Sequence, residues 1–353
     1  MIKKECFTAE WIEQVSSELH YNDKNLIEKV IRALSLLEML VKAGCPLVFK
    51  GGTALMLILG KSAHRLSIDI DLICPPGTNI EDYLKSFADF GFINLELVER
   101  KQRDDADIPK SHSKFFYQIA YRNDTDAQSY ILLDVLYEDI HYFRTQQIAI
   151  NCPFIRLEGK PLMVTVPSAE DILGDKLTAF APNTTGIPYY KNGRSCSMEI
   201  AKQLYDVGRL FENVSDLQIT KEAFRKIAVV ELSYRSFGTD IGQVFNDIRQ
   251  TALCISTRGK AGEGDFDLIQ DGIIRVKSFM YKQRYLIDHA IIDAARAAYL
   301  ATLIEKGINE IESYSNNPAD IKDMVIRPSL PNKLNKLRSN LPEAYYYWAK
   351  TSE

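Results

Sequence analysis

Two short stretches carry residue types that could do chemistry together. One is Phe49-Lys50-Gly51-Gly52-Thr53-Ala54-Leu55, and the other is Arg65-Leu66-Ser67-Ile68-Asp69-Ile70-Asp71-Leu72. In an extended strand alternate side chains share a face, so Asp69 and Asp71 should project together, with Ile68, Ile70 and Leu72 packed behind them. Upstream, Leu47-Val48-Phe49 reads as a short buried strand. Gly51-Gly52 permits a tight turn with close backbone approach, and Thr53 opens an apolar helical run. The start of that helix offers N–H groups and a hydroxyl to an anion. Enzymes that handle nucleoside triphosphates usually hold Mg²⁺ on paired carboxylates, with phosphate oxygens completing its shell. Nucleotide chemistry is the leading expectation.

Either element alone has a plainer reading. Gly-Gly before a helix is common, and an Asp-x-Asp pair is often a solvated strand edge or loop. Their combination is more specific, because acids alternating with Ile, Ile and Leu are costly on a covered face but accounted for if they line a wet, metal-bearing cleft.

The order Lys-Gly-Gly-Thr-Ala-Leu followed by Arg-x-Ser-x-Asp-Ile-Asp-Leu resembles the DNA polymerase beta-like nucleotidyltransferases, and most closely the AbiEii/AbiGii toxin family of bacterial nucleotidyltransferases. A second region, Ser168-Ala169-Glu170-Asp171-Ile172-Leu173-Gly174-Asp175-Lys176-Leu177-Thr178-Ala179-Phe180, resembles the family's helix with a Lys-Leu-x-Ala element. A third, Lys202-Gln203-Leu204-Tyr205-Asp206-Val207, resembles its Lys-Asp-x-Tyr-Asp-Leu element. Two departures stand out. Gln203 occupies a position where many members carry an acid, and Pro182-Asn183 occupies the stretch where the family has an arginine.

The resemblance implies a polymerase beta-like α+β core, with a mixed sheet and flanking helices, followed by a helical domain. It implies an enzyme that moves a nucleoside monophosphate from an NTP to an acceptor hydroxyl. Asp69 and Asp71 would hold Mg²⁺. A third carboxylate is expected on a neighbouring strand, and Asp134, within Ile131-Leu132-Leu133-Asp134-Val135-Leu136, is the candidate. An acid in so apolar a run needs a metal or a partner such as Arg or Lys. If it is catalytic it shares the metal and takes the proton from the attacking hydroxyl. Gly51, Gly52 and Thr53 would anchor phosphates, Arg65 and Ser67 would brace the strand or touch phosphate, and Lys176 would neutralise charge on the triphosphate. Asp206 is either a catalytic group or a helix cap or salt-bridge partner. The biological role implied is the toxin of a type IV toxin–antitoxin or abortive-infection system. Its partners would be NTP, an RNA acceptor such as tRNA, and a genetically linked antitoxin that need not touch it. The competing readings are a small-molecule nucleotidyltransferase of the antibiotic-modifying kind and a catalytically inactive nucleotide-binding module.

The whole chain suits an enzyme of this kind. Its 353 residues leave room for two domains, expected at 1–165 and 166–353. Hydrophobic residues make up 46% and charged residues 25%, which is ordinary for a globular protein and argues against disorder. No apolar segment follows Met1-Ile2-Lys3-Lys4-Glu5-Cys6 and no apolar run reaches membrane length, so a cytoplasmic location is expected. Six cysteines lack Cys-x-x-Cys spacing and suggest neither zinc nor a disulfide framework. A net charge of -4 argues against a protein that coats nucleic acid generally. A local basic surface is still open, and the candidate is Lys333, Lys336 and Arg338 ahead of Tyr345-Tyr346-Tyr347-Trp348. Its plainer reading is a helix with solvated charges and inward-packed rings.

Periodicity places helices over 8–41, broken at Asn22-Asp23, and over 80–90. Strands are expected near 92–98, 115–121, 130–137 and 147–150, with an exposed charged segment at Glu99–Lys110. From Pro167 onward the pattern is helical. It is interrupted by a polar, aromatic loop over 184–194 that could be a lid or an ordinary connector.

Overall fold

The apolar stripe Leu26, Ile27, Val30, Ile31, Leu34 and Leu37 recurs at helical spacing and is buried along one long helix, α2 (Lys24–Lys42). Asp23 caps it by accepting from the Leu26 N–H at 3.0 Å. A shorter helix, α1 (Ala9–Glu18), precedes it and is capped by Thr8. The computed structural model describes residues 1–98, 110–121, 127–235, 238 and 240–353. Of the charged segment expected at Glu99–Lys110, residues 99–109 lie outside the described ones.

A five-stranded mixed sheet is built from β1 (Val48–Lys50), β2 (Ile70–Cys74), β3 (Asn94–Val98), β4 (Lys110–Gln118) and β5 (Gln128–Tyr137), in the order β1-β2-β5-β4-β3. Only β2 and β5 run parallel. Helix α3 (Gly51–Leu59) follows β1 directly. Alternation decides the faces. Phe49, Ile70, Leu72, Ile131, Leu133, Val135, Phe115 and Tyr117 are buried in the same core as α2, while Asp71, Asp134 and His112 alternate with them on the opposite face. A separate two-stranded sheet pairs β6 (Thr145–Ala149) with β7 (Met163–Pro167). The strand expected at 147–150 thus belongs to this small sheet, and β7 escaped the sequence reading. The helix expected over 80–90 is two short 3-10 turns, Ile80–Tyr83 and Phe87–Phe90, the second closed by Gly91 in the left-handed region.

The chain divides into two compact units: Met1–Ser168 with Ser278–Arg284, and Ala169–Lys277 with Tyr285–Glu353. The return of 278–284 to the first unit had no counterpart in the sequence reading. It is made by backbone pairing, with Leu66 N–H donating to Phe279 O at 2.8 Å and Tyr281 N–H to His64 O at 3.0 Å.

In the second unit lie α4 (Ala169–Ala179), a hairpin of β8 (Tyr190–Lys191) and β9 (Arg194–Ser195), α5 (Ser197–Phe211), α6 (Gln218–Tyr234), α7 (Ile241–Ser256), α8 (Phe266–Val276), α9 (Ile287–Lys306), α10 (Leu337–Asn340) and α11 (Pro342–Ser352). The 184–194 segment is not a free lid throughout. Thr184 Oγ1 donates to Asp247 at 2.9 Å, and Arg235 holds the Thr184 and Gly186 carbonyls at 2.8 and 2.6 Å. Beyond it, Asn192 and Gly193 both take positive φ and turn the hairpin. The rings of α11 pack inward, and the Trp348 indole N–H donates to Ser256 Oγ at 3.0 Å. No helix among the described residues is long and apolar enough to cross a membrane.

Helices α4 and α6 approach closely at Gly174, where a Cβ would lie 2.8 Å from Phe224 N and 2.9 Å from Thr220 O. Both are backbone atoms and cannot swing aside. Gly174→Val is expected to cost about 1–3 kcal/mol as the helices separate, read as a lowered melting temperature.

Candidate active site

The site in the first unit is organised by strand register. Lys50 pairs with Asp71, Asp71 with Asp134, and Asp134 with His112, so one row of four polar residues runs across β1, β2, β5 and β4. Partners in register present their side chains to the same face. Two acids therefore stand opposite each other with a basic residue at either end.

The glycine turn makes room for this row. Gly51 has φ +79°, and a Cβ built on it would fall within the Asp71 carboxylate. A side chain at 51 is thus disfavoured twice, by backbone conformation and by space. Gly52 makes way for the other predicted residues, since its Cβ would lie 2.7 Å from Ser67 Oγ and 2.9 Å from Arg65 Nη2. Arg65 is buried and donates to Leu66 O at 3.0 Å, a bracing contact. Thr53, fully buried, spends its hydroxyl proton on Asp69 O at 2.7 Å. That bond ties the helix start to the chain entering β2. Asp69 itself lies just before β2 begins at Ile70 and is half-buried.

Asp134 lies on the open face, its side chain 41% exposed, whereas Ile131, Leu133 and Val135 point into the core. Its partner is neither Arg nor Lys. His112 Nδ1 meets Asp134 Oδ1, and His112 Nε2 is buried with no hydrogen-bond partner among the described residues. The sequence reading missed His112. The signal was present, since His112 and Lys114 alternate with the inward Ser113, Phe115 and Tyr117, but only the pairing of β4 with β5 puts it beside Asp134. Among the described residues no three His, Cys, Asp or Glu side chains gather into a metal-holding group, Asp69, Asp71 and Asp134 included.

The second unit brings together Lys176, Asp206 and Gln203. Lys176, on α4, pairs with Asp206 Oδ2 at 3.0 Å and donates to Gln203 Oε1 at 2.9 Å, both partners lying on α5. Lys176 is 7% exposed and Asp206 1%. Asp206 is thus the buried counter-ion of Lys176, and Gln203, at the position of a family acid, supplies a neutral oxygen. Removing one member of such a pair leaves the other charge poorly compensated.

Gly51→Ala tests the turn. It is expected to lower stability by about 1–3 kcal/mol through positive φ and overlap with Asp71, measured by denaturant unfolding. Gly44→Ala, which also has positive φ (+76°) but no atom within 4 Å of its added Cβ, should cost less.

A family model described as nucleotidyl transferase AbiEii toxin, type IV TA system, matches residues 34–319. No curated protein matches the chain. Among solved structures, JHP933 from Helicobacter pylori is 15% identical with a TM-score of 0.40, covering 87% of this chain and 95% of that one. MenT4, the nucleotidyltransferase toxin Rv2826c from Mycobacterium tuberculosis H37Rv, is 12% identical with a TM-score of 0.43, covering 97% and 99%. Scores this low carry no argument. The family match, however, spans the glycine turn, the row of acids and the Lys176–Asp206 pair: the chain belongs to the AbiEii nucleotidyl transferase toxin family of type IV toxin–antitoxin systems and is a nucleotidyltransferase.

Proposed function

We propose that the protein transfers a nucleoside monophosphate from an NTP to a hydroxyl on RNA, such as a tRNA 3′ end, in a Mg²⁺-dependent reaction that releases pyrophosphate. The observation that carries this reading is Asp71 opposite Asp134 on adjacent strands, beside the turn at Gly51. Two carboxylates directly opposite on adjacent strands offer oxygen ligands to one cation. Mg²⁺ needs only one or two protein carboxylates when phosphate oxygens complete its shell, so Asp71 and Asp134 fit as its holders, with Asp69 at the entry to the strand. Bound there, the ion would polarise the phosphoryl group and offset charge on the oxygens.

The rest of the work falls to the chain's own groups. The acceptor oxygen bonds to the α-phosphorus as the bond to pyrophosphate breaks, and Asp134 takes the hydroxyl proton while His112 orients its carboxylate. The backbone at Gly51 and Gly52, at the start of α3, receives phosphate oxygens. Thr53, Arg65 and Ser67 support that turn from behind. In the second unit Lys176 is held by Asp206 and by the neutral oxygen of Gln203, and its assigned role, which the family resemblance implies, is to offset charge on the triphosphate. In the cell the protein would act as the toxin of a pair whose antitoxin need not bind it.

The test is incubation of the protein with each labelled NTP and total RNA, in parallel with a panel of aminoglycosides. Label is expected in an RNA fraction, dependent on Mg²⁺, and reduced at least about a hundredfold by Asp71→Asn. His112→Ala should lower kcat about 10–100-fold with little change in NTP affinity, because it acts through Asp134. Label on an aminoglycoside would replace the acceptor, and no labelled product with any NTP would sink the reading.

A further inference from the structure

Near the end of the chain, the rings expected as candidates for stacking on bases are buried, since Tyr345, Tyr346, Tyr347 and Trp348 are each at most 7% exposed. The cations beside them have a different setting. Lys333 and Lys336 line a cavity of about 610 Å³ in the second unit, together with Arg258 and Lys260. All four are exposed. Among the described residues Asp288 is the one acid in the lining, and it pairs with Arg258 at 3.0 Å. Four positive side chains against one negative leave the wall strongly basic, in a chain whose net charge is -4.

This charge is gathered by the fold, because the two contributing segments lie far apart in sequence. Lys333 Nζ donates to Lys260 O at 3.1 Å and holds them together. A favourable end-of-helix effect accounts for part of it, since Arg258 and Lys260 follow the C-terminus of α7, where cations are welcome. It does not account for Lys333 and Lys336, which the fold sets against those cations at an electrostatic cost. A concave basic wall raises the local concentration of anions. The volume exceeds what one phosphate fills and suits a drug-sized or nucleotide-sized group. Leu337 gives the lining an apolar component, which a nucleoside can cover and a bare phosphate cannot.

We propose that this cavity binds consecutive phosphates of the RNA acceptor, as a site separate from the row of acids. The inference rests on the RNA reading above. It assigns Lys333 and Lys336 to acceptor binding and leaves NTP binding to other residues.

The experiment uses the full chain and a fluorescein-labelled single-stranded oligoribonucleotide, read by fluorescence polarisation over a range of salt. Lys333→Glu combined with Lys336→Glu is compared with Lys4→Glu combined with Lys160→Glu, an equal charge change at exposed lysines elsewhere. The cavity variant should bind RNA at least about tenfold more weakly and lose about 1.4 from the log–log salt slope, while the control stays near wild type. In the labelling assay its KM for RNA should rise with kcat and NTP affinity unchanged. Melting temperatures confirm that both variants fold. If wild type labels RNA and the cavity variant keeps its affinity and KM, the cavity assignment falls and the function stands. If wild type labels no RNA, the acceptor reading falls and takes this inference with it. A loss of NTP affinity, or an equal loss of binding to polyglutamate, would also overturn the assignment, by marking a triphosphate site or a general polyanion surface.

Discussion

The first unit depends on a missing atom. Asp71 lies where a side chain at position 51 would have to go, so the turn after β1 must be glycine if the carboxylate is to sit against the start of α3. The same packing fixes the neighbours. Gly52 admits Ser67 and Arg65, and Thr53 spends its hydroxyl on the Asp69 carbonyl. The strand bearing the acids and the helix start that can receive an anion are thereby held as one piece. Preorganisation of this kind matters for a site that must stabilise developing charge, because donors already in place need not reorganise during the reaction.

Sheet topology supplies the rest of that site. Because β2 and β5 are neighbours and parallel, Asp134, more than sixty residues after Asp71 in the chain, arrives directly opposite it. The antiparallel strands on either side bring Lys50 and His112 to the ends of the row. The inward face of the same strands is apolar and packs in the core with α2, so the acids reach the open face without burying a charge.

The second unit works by a different device. Lys176 and Asp206 are buried together on adjacent helices, with the Gln203 carbonyl oxygen as a third member. An ion pair removed from water is costly to form and costly to break, so both side chains are fixed in position more firmly than surface charges would be. Gly174, two residues before Lys176, lets α4 lie against α6.

Read alone, the chain marks the glycine turn and the acids of β1 to β2 as candidates and fixes the α+β class. Both follow from local rules: period two for Ile70 to Cys74, period 3.6 for α2, and glycine where the backbone turns. The helical character of the chain beyond Pro167 was also legible. Several features could not be read locally. The 80–90 segment is apolar enough for a helix yet forms only 3-10 turns. Tyr345 to Trp348 could stack or pack, and only burial decides that they pack. The place of His112 beside Asp134, the return of 278–284 to the first unit, and the meeting of Lys333 with Lys260 were not legible, because each depends on which distant segments become neighbours. Side-chain periodicity is a property of a few consecutive residues, whereas pairing is a property of the folded chain, and only the tertiary structure could put a histidine beside Asp134.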